Sequence, residues 1–72
     1  MIDPAVKPTK KMLEFLRWMD AQGHVALFPT HWGMMWRKAK KAGFIEADGK
    51  KIDGVFVWTL YALSDAGREL SR

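Results

Sequence analysis

Apolar residues recur at helical spacing in the first third of the chain. Between residues 10 and 22, a helix with about 3.6 residues per turn has one apolar side, formed by Met12, Phe15, Leu16 and Met19. Thr9 is a good N-cap residue, and Gly23 is of the type that commonly follows a helix. The pattern predicts an amphipathic helix over residues 10–22, with Trp18 at the boundary of its buried face.

A second helical pattern follows Pro29 and is predicted to run from His31 to Ala42, ending at Gly43. Thr30 precedes it as the candidate N-cap. The residues predicted to face the core are Trp32, Met35, Trp36, Ala39 and Ala42. Those on the opposite side are Thr30, Met34, Arg37 and Lys41, flanked by Lys38 and Lys40. This helix is therefore expected to have an aromatic side and a basic side.

Two other stretches have the composition of β-strands. His24–Phe28 is short and apolar, and Val55–Leu63 is rich in β-branched and aromatic residues. An extended segment is predicted to begin at Phe44. The Asp-Gly pairs at residues 48–49 and 53–54 are turn signals, so the second half of the chain is expected to contain a long β-hairpin.

Ser64 is predicted to cap a last short helix that ends near Leu70. The predicted order is helix, strand, helix, β-hairpin, helix, which defines a small α+β domain. Because a hairpin alone cannot bury its faces, it is expected to pack on the helices. Residues 9–72 are predicted to form the domain, after a flexible leader over residues 1–8.

Length and composition exclude several classes of protein. A chain of 72 residues suits one small domain. No apolar run approaches the roughly 20 residues that cross a bilayer, so no membrane partner is expected. There is no cysteine, which excludes disulfides and cysteine-based zinc sites, and cytoplasmic residence is the default expectation.

The placement of the basic residues is more informative than the formal charge of +4. Residues 29–45 contain four Lys or Arg and no Asp or Glu, so no carboxylate at i,i+4 neutralises the basic side of the second helix. A further pair, Lys50-Lys51, is predicted to lie in the hairpin loop between the two turn signals. A solvated lysine-rich face is the ordinary alternative. The combination of helix and loop favours a duplex nucleic acid.

Two short motifs in the second half of the chain resemble winged helix-turn-helix domains. Gly43-Phe44-Ile45 is similar to the end of the recognition helix in that family, and Leu63-Ser64-Asp65-Ala66-Gly67 to the end of its wing hairpin. The resemblance covers about residues 30–70. The first half departs from the family pattern, since only about 15 residues separate Phe28 from Phe44, which leaves room for one helix instead of two.

The resemblance implies a small winged-helix-like domain that binds double-stranded DNA as a regulator or accessory factor, a role that also fits a small phage protein. The implied helix contacts are Thr30, His31, Met34, Arg37, Lys38 and Lys41. The implied wing contacts are Lys50 and Lys51. Arg37 has the planar, forked side chain that suits bidentate contact with guanine.

A protein-binding role is the main alternative. In Val55–Leu63 both alternating sets of side chains are apolar, whereas a half-exposed hairpin normally has a polar side. An uncovered face could bind a second copy of the chain or another protein through Phe56, Trp58 and Leu60.

Catalysis and metal binding are not indicated. His24 and His31 are the only histidines, and neither has cysteine or a close carboxylate at ligand spacing, so no metal or other cofactor is expected. The eight acidic residues are scattered singly, and no nucleophile with a neighbouring base is visible. The protein is therefore not expected to be an enzyme.

Overall fold

The computed structural model describes residues 8–72. Its elements, in chain order, are helix α1 (Lys10–Gln22), a 3₁₀ turn (Thr30–Trp32), helix α2 (Met35–Ala42), strand β1 (Ile45–Asp53), strand β2 (Phe56–Leu63) and helix α3 (Asp65–Ser71). The two strands form one antiparallel hairpin. The predicted α+β class is confirmed. Residues 1–7 of the predicted leader lie outside the described residues.

Helix α1 follows its sequence signals closely. The Thr9 hydroxyl accepts a hydrogen bond from the Met12 amide at 3.1 Å, which satisfies one of the free donors of the first turn. The amide of Gly23 donates to the carbonyl of Met19 at the other end. The predicted apolar side is buried and supplies much of the core, with Met12, Phe15, Leu16 and Met19. The predicted bounds and buried face of this helix are confirmed.

The second helix is shorter than predicted. Thr30–Trp32 forms a separate 3₁₀ turn, and α2 begins only at Met35. Between them Gly33 has φ 60 and ψ −128, a conformation that glycine adopts easily and that no helix contains. The prediction of one continuous helix from residue 31, capped by Thr30, is therefore wrong. Because the apolar residues have helical spacing on both sides of Gly33, the sequence pattern did not indicate a break there.

The predicted strand His24–Phe28 is reduced to a single bridge. Val25 exchanges two backbone hydrogen bonds of 2.9 Å with Tyr61 of β2. Pairing does not continue to the end of the segment, where Pro29 has no amide hydrogen to donate. The short contact still fixes the connection between α1 and α2 against the edge of the hairpin.

The hairpin turns at Gly54-Val55, so the second Asp-Gly pair marks a turn as predicted. The first pair does not. Asp48 and Gly49 lie within β1 as a bulge, where the register shifts between Ala47 and Lys50. The strand therefore continues through Lys50 and Lys51, and the prediction that these two residues lie in the loop is wrong.

Only the base of the hairpin packs on the helices. Ile45 and Leu63 are buried, whereas every residue from 46 to 57 is exposed. A helix of eight residues spans about 12 Å, and a strand of nine residues spans about 30 Å. Because α2 is so short, it cannot cover the far half of the hairpin. The expected packing of the hairpin on the helices is therefore observed at its base only.

Hydrogen bonds join the segment after α2 to the start of α3 at the base of the hairpin. The Ser64 amide donates to the Phe44 carbonyl at 3.0 Å, and the Ser64 hydroxyl donates to the Gly43 carbonyl. The same hydroxyl accepts from the Gly67 amide at 3.2 Å and so caps α3, as predicted. These are the two stretches that resemble winged-helix motifs, and the resemblance itself stays a prediction.

Gly67→Ala is expected to destabilise the protein strongly. A Cβ atom at this position would lie 2.0 Å from the Phe44 carbonyl oxygen, and that oxygen belongs to buried backbone that cannot rotate away. Overpacking of this kind costs about 3 kcal/mol. Urea unfolding followed by tryptophan fluorescence measures the change. The exposed Glu69→Ala in the same helix is the control and is expected to change stability by less than about 0.5 kcal/mol. Equal midpoints for the two variants would contradict the close approach.

Candidate nucleic-acid interface

Helix α2 separates its apolar and basic residues completely. Met35, Ala39 and Ala42 are buried. At about 100° per residue, Arg37 and Lys41 lie on the side away from this buried row, with Lys38 and Lys40 on either side of them. The four cationic residues of the helix, Arg37, Lys38, Lys40 and Lys41, are all exposed. The predicted inward and outward sides of residues 35–42 are thus observed.

Aromatic packing holds this orientation. The Trp36 ring stacks on Phe28 with centroids 5.5 Å apart and an interplanar angle of 3°. Trp32 meets the fully buried Phe15 edge to face at 5.3 Å. Both indoles are half-buried and pack on the core, as predicted for the side opposite the cations. Rotating α2 to hide its cations would break these ring contacts.

Two of the cations lie over aromatic rings at the junction of α2 and the hairpin. The Arg37 guanidinium carbon is 5.4 Å from the centroid of the Trp36 ring, and Lys40 Nζ is 5.4 Å from that of Tyr61. At exposed sites such contacts contribute about 0.5–1 kcal/mol each. Trp36 and Tyr61 are neighbours, with centroids 6.2 Å apart. The two cations are thus placed beside one aromatic strip.

Among residues 8–72 no carboxylate forms an ion pair with a cation of α2. Within residues 8–72 the ion pairs are His24–Asp48, Arg68–Asp65 and Arg72–Glu69. None of them includes a cation of α2, nor Lys50 or Lys51. The surface around α2 therefore has a positive charge that is not cancelled by any described acidic residue within 4.0 Å.

The two lysines of β1 belong to different faces of the hairpin. Lys50 pairs with Thr59 and Lys51 with Trp58, and successive side chains of a strand point to opposite sides. Thr59 shares its face with Tyr61, which contacts α2. Lys50 is therefore on the α2 side of the hairpin, and Lys51 is on the other side. The prediction that both act together as loop contacts did not anticipate this division.

Three predicted contact residues precede α2 instead of lying on it. Thr30 and His31 are in the 3₁₀ turn, and Met34 is the N-cap of α2. All three are exposed, and the His31 ring lies 4.8 Å from that of Trp32. The structure therefore places Met34 at the first turn of α2, whereas Thr30 and His31 lie in a separate element and do not share a helical face with Arg37 and Lys41. Gly33 is the cause, because it separates the two short elements.

Lys40 and Tyr61 were not among the predicted contacts. Helical spacing assigned Lys40 to a flank of the basic side, and Tyr61 to a strand face without a known neighbour. Their contact joins residues 21 positions apart, and a periodicity confined to one helix does not reveal such a contact. The composition of residues 36–41, with Trp beside Arg and Lys, was the only local signal.

A small cleft lies where the bulge of β1 meets the end of α1. It has a volume of about 210 Å³ and is lined in part by Asp20, His24, Asp48 and Arg68. His24 Nε2 lies 2.8 Å from the Asp48 carboxylate, and both side chains are exposed. Among residues 8–72 no three His, Asp or Glu side chains converge in a way that could hold a metal ion. The contact between His24 and Asp48 attaches the bulge to the loop after α1.

Phe28→Ala is expected to destabilise the domain by about 2 kcal/mol, less than for a fully buried Phe because the ring is half-exposed. The variant loses ring contacts with Phe15, Trp18, Trp36 and Tyr61. Urea denaturation checks the value. The matched control is the preceding residue, Leu27→Ala, which is 68% exposed and is expected to be nearly neutral. Similar losses in both variants would show that Phe28 does not organise the cluster.

Comparison with known proteins does not assign the chain to a family. No family model, curated protein or solved structure gives a significant match to it. Within residues 8–72 the longest helix is the 13-residue α1, and none is long and apolar enough to span a membrane.

Proposed function

We propose that the protein binds double-stranded DNA without catalysing a reaction, as a regulator or accessory factor. The observation that carries the proposal is the basic side of α2, where four exposed cations have no carboxylate partner in the described chain. DNA phosphates are the natural counter-charges for such a surface, and they would provide most of the affinity.

The size of α2 suits the major groove. An α-helix with its side chains is about 10–12 Å in diameter, which matches the width of about 12 Å of that groove in B-form DNA. Arg37 and Lys41 are on the side that would face the groove floor, and Arg37 has the fork that can contact two acceptors of a guanine. Lys38 and Lys40 would contact the phosphates on either side. Half of the helix surface stays in the protein core in this arrangement.

The flanking segments extend the contact along the backbone. Thr30 and His31 are exposed ahead of the helix and would contact a phosphate strand next to its N-terminus, while the apolar Met34 would contact a base edge. Lys50 lies on the α2 side of the protruding hairpin and would contact the backbone at a distance from the groove. Lys51 faces away and is assigned only a long-range electrostatic role.

A protein-binding role through the hairpin is the second candidate function. Phe56 is exposed and Trp58 and Leu60 are half-buried, although all three are apolar. In this alternative the chain is an adaptor, and the basic side of α2 is an ordinary solvated face. Binding to duplex DNA at low salt separates the two roles, because an adaptor that uses the hairpin has no need of α2.

Titration of a labelled DNA duplex at several salt concentrations tests DNA binding. The affinity is expected to fall with salt, with a log-log slope that increases by about 0.9 for each phosphate contact. Replacing Arg37 and Lys41 together by Ala is expected to reduce the slope by about 1, because Arg37 contacts a base and at most Lys41 reaches a phosphate. The affinity at low salt should fall at least tenfold, because the loss of roughly one charged hydrogen bond has an effect of that size on the affinity.

The matched control removes the same charge from α1 through Lys10→Ala with Lys11→Ala, both exposed. It is expected to leave most of the affinity in place. An equal loss in the two double variants would mean that the total charge, and not α2, determines binding. Duplex RNA of the same sequence should bind less tightly, because its deep, narrow major groove does not admit a helix. No detectable DNA binding at low salt would eliminate the proposal.

Lys50→Ala is expected to weaken DNA binding more than Lys51→Ala. The two substitutions remove the same charge from adjacent residues, and only Lys50 is on the face shared with Tyr61 and α2. A loss of a few-fold for Lys50→Ala is the effect of one phosphate contact. The same titration measures both variants. Equal losses, or a larger loss for Lys51→Ala, would place the duplex on a different side of the hairpin.

A further inference from the structure

The outer edge of β2 lacks the features that normally keep a sheet edge from pairing. β2 reads FVWTLYAL and contains no charge, proline or glycine. β1 reads IEADGKKID and has five charged residues and a bulge. Charges and bulges are the devices by which natural sheets protect exposed edges. The hairpin is therefore protected along β1 and open to pairing along β2.

Two residues of β2 present unpaired backbone groups at this edge. Tyr61 directs its N–H and C=O away from β1, toward Val25. These directions alternate along a strand, so Thr59 and Val57 direct their groups to the same side as Tyr61. Within residues 8–72 no backbone hydrogen bond joins either of them to another element. The edge thus has two free donors and two free acceptors in a row beyond the bridge at Val25.

Exposed apolar side chains surround these backbone groups. The exposed fractions are 74% for Ile52, 91% for Val55, 63% for Phe56 and 59% for Val57. Together they expose on the order of 500 Å² of apolar surface, divided between the two faces and the tip of the hairpin, with Ile52 one strand away from the edge. Pairing of two copies along β2 would bury up to about 1,000 Å² of this surface in total, so complete burial reaches the lower limit for a specific interface.

We propose that the occupant of this edge is a second copy of the chain, paired antiparallel through β2 to give a four-stranded sheet. In the register centred on Val57, the Val57 residues of the two copies are opposite each other. Phe56 of each copy then lies across from Trp58 of the other, on the face where these rings already stack at 6.1 Å. This register makes β2 complementary to a second copy of itself, because the Phe56–Trp58 pair forms twice, once on each side of the two-fold axis.

Charge does not prevent a second copy from pairing at this edge. The chain has a net charge of +4, but the paired strands are uncharged, and Lys50 and Lys51 are one strand away from the contact. The hairpin tip protrudes from the helices, so two tips can meet without a collision between the bodies of the two molecules. The association does not require DNA and is measured in its absence, so its failure would leave the proposed DNA function untested and intact.

Sedimentation equilibrium over a range of protein concentrations tests the proposal. The wild-type chain is expected to approach twice the 8.3 kDa of one copy as concentration rises. Val57→Pro removes an outward-facing amide that the hairpin itself does not use, and an edge strand tolerates such a change. This variant is expected to remain at the mass of one chain. The matched control is Ile52→Pro, at the residue directly opposite Val57 on the protected edge, and it is expected to dimerise.

Hydrogen exchange of individual amides provides an independent measurement on the wild-type chain. The amides of Val57 and Thr59 are expected to exchange rapidly in dilute solution and to become at least tenfold slower when the dimer forms. The amide of Trp58, which faces β1, should be protected at both concentrations. If the proline variants do not fold, Val57→Lys and Ile52→Lys make the same comparison, because an edge lysine opposes pairing.

Three results would overturn the proposal. One is a wild-type chain that keeps the mass of a single copy up to about 1 mM, a weak limit for specific association. The second is a dimer that persists in Val57→Pro, which would locate the contact on another surface. The third is a monomer whose Val57 and Thr59 amides become protected only when an unrelated uncharged peptide is added, which would identify an extended peptide as the occupant.

Discussion

The structure depends on a cluster of aromatic rings with Phe28 at its centre. This ring contacts Phe15 and Trp18 of α1, Trp36 of α2 and Tyr61 of β2, with centroids 5.5–6.3 Å apart. A domain of this size buries too little area for many independent contacts to contribute, so a few large side chains must connect all its elements. The cluster fixes the rotation of α2, and that rotation determines where the cations are placed.

The elements defined by local signals could be predicted from the sequence, and those defined by distant contacts could not. The bounds of α1 follow from Thr9 and Gly23, and the start of α3 follows from Ser64, since each of these residues acts on its own neighbours. The sequence around Gly33 would also suit a helix that tolerates a glycine, and Asp48-Gly49 would also suit a turn. The structure has a break at the first position and a bulge at the second. Which form each adopts depends on the aromatic cluster and on the pairing with β2.

The same division applies to the candidate interface. The outward position of Arg37 and Lys41 follows from helical spacing alone, because the buried row of α2 is local to that helix. The contact of Lys40 with Tyr61 and the separation of Lys50 from Lys51 arise from tertiary pairing. The resemblance to winged-helix domains concerns the segments that contain these lysines. It could not supply the side on which each lysine lies, because that side is determined by the register of this hairpin.

The bulge at Asp48 and Gly49 reverses the order in which the side chains of β1 alternate between the two faces of the hairpin. Two residues of β1 stand opposite the single Leu60 of β2, and beyond that point the inward and outward positions are exchanged. With regular pairing throughout, Lys51 would lie on the side of α2, and Lys50 would be turned away. A single extra residue, held in place by the contact of Asp48 with His24, therefore decides which ammonium group belongs to the basic surface. In a chain with so few elements, the number of residues in one strand decides which charged side chains lie on each face of the hairpin.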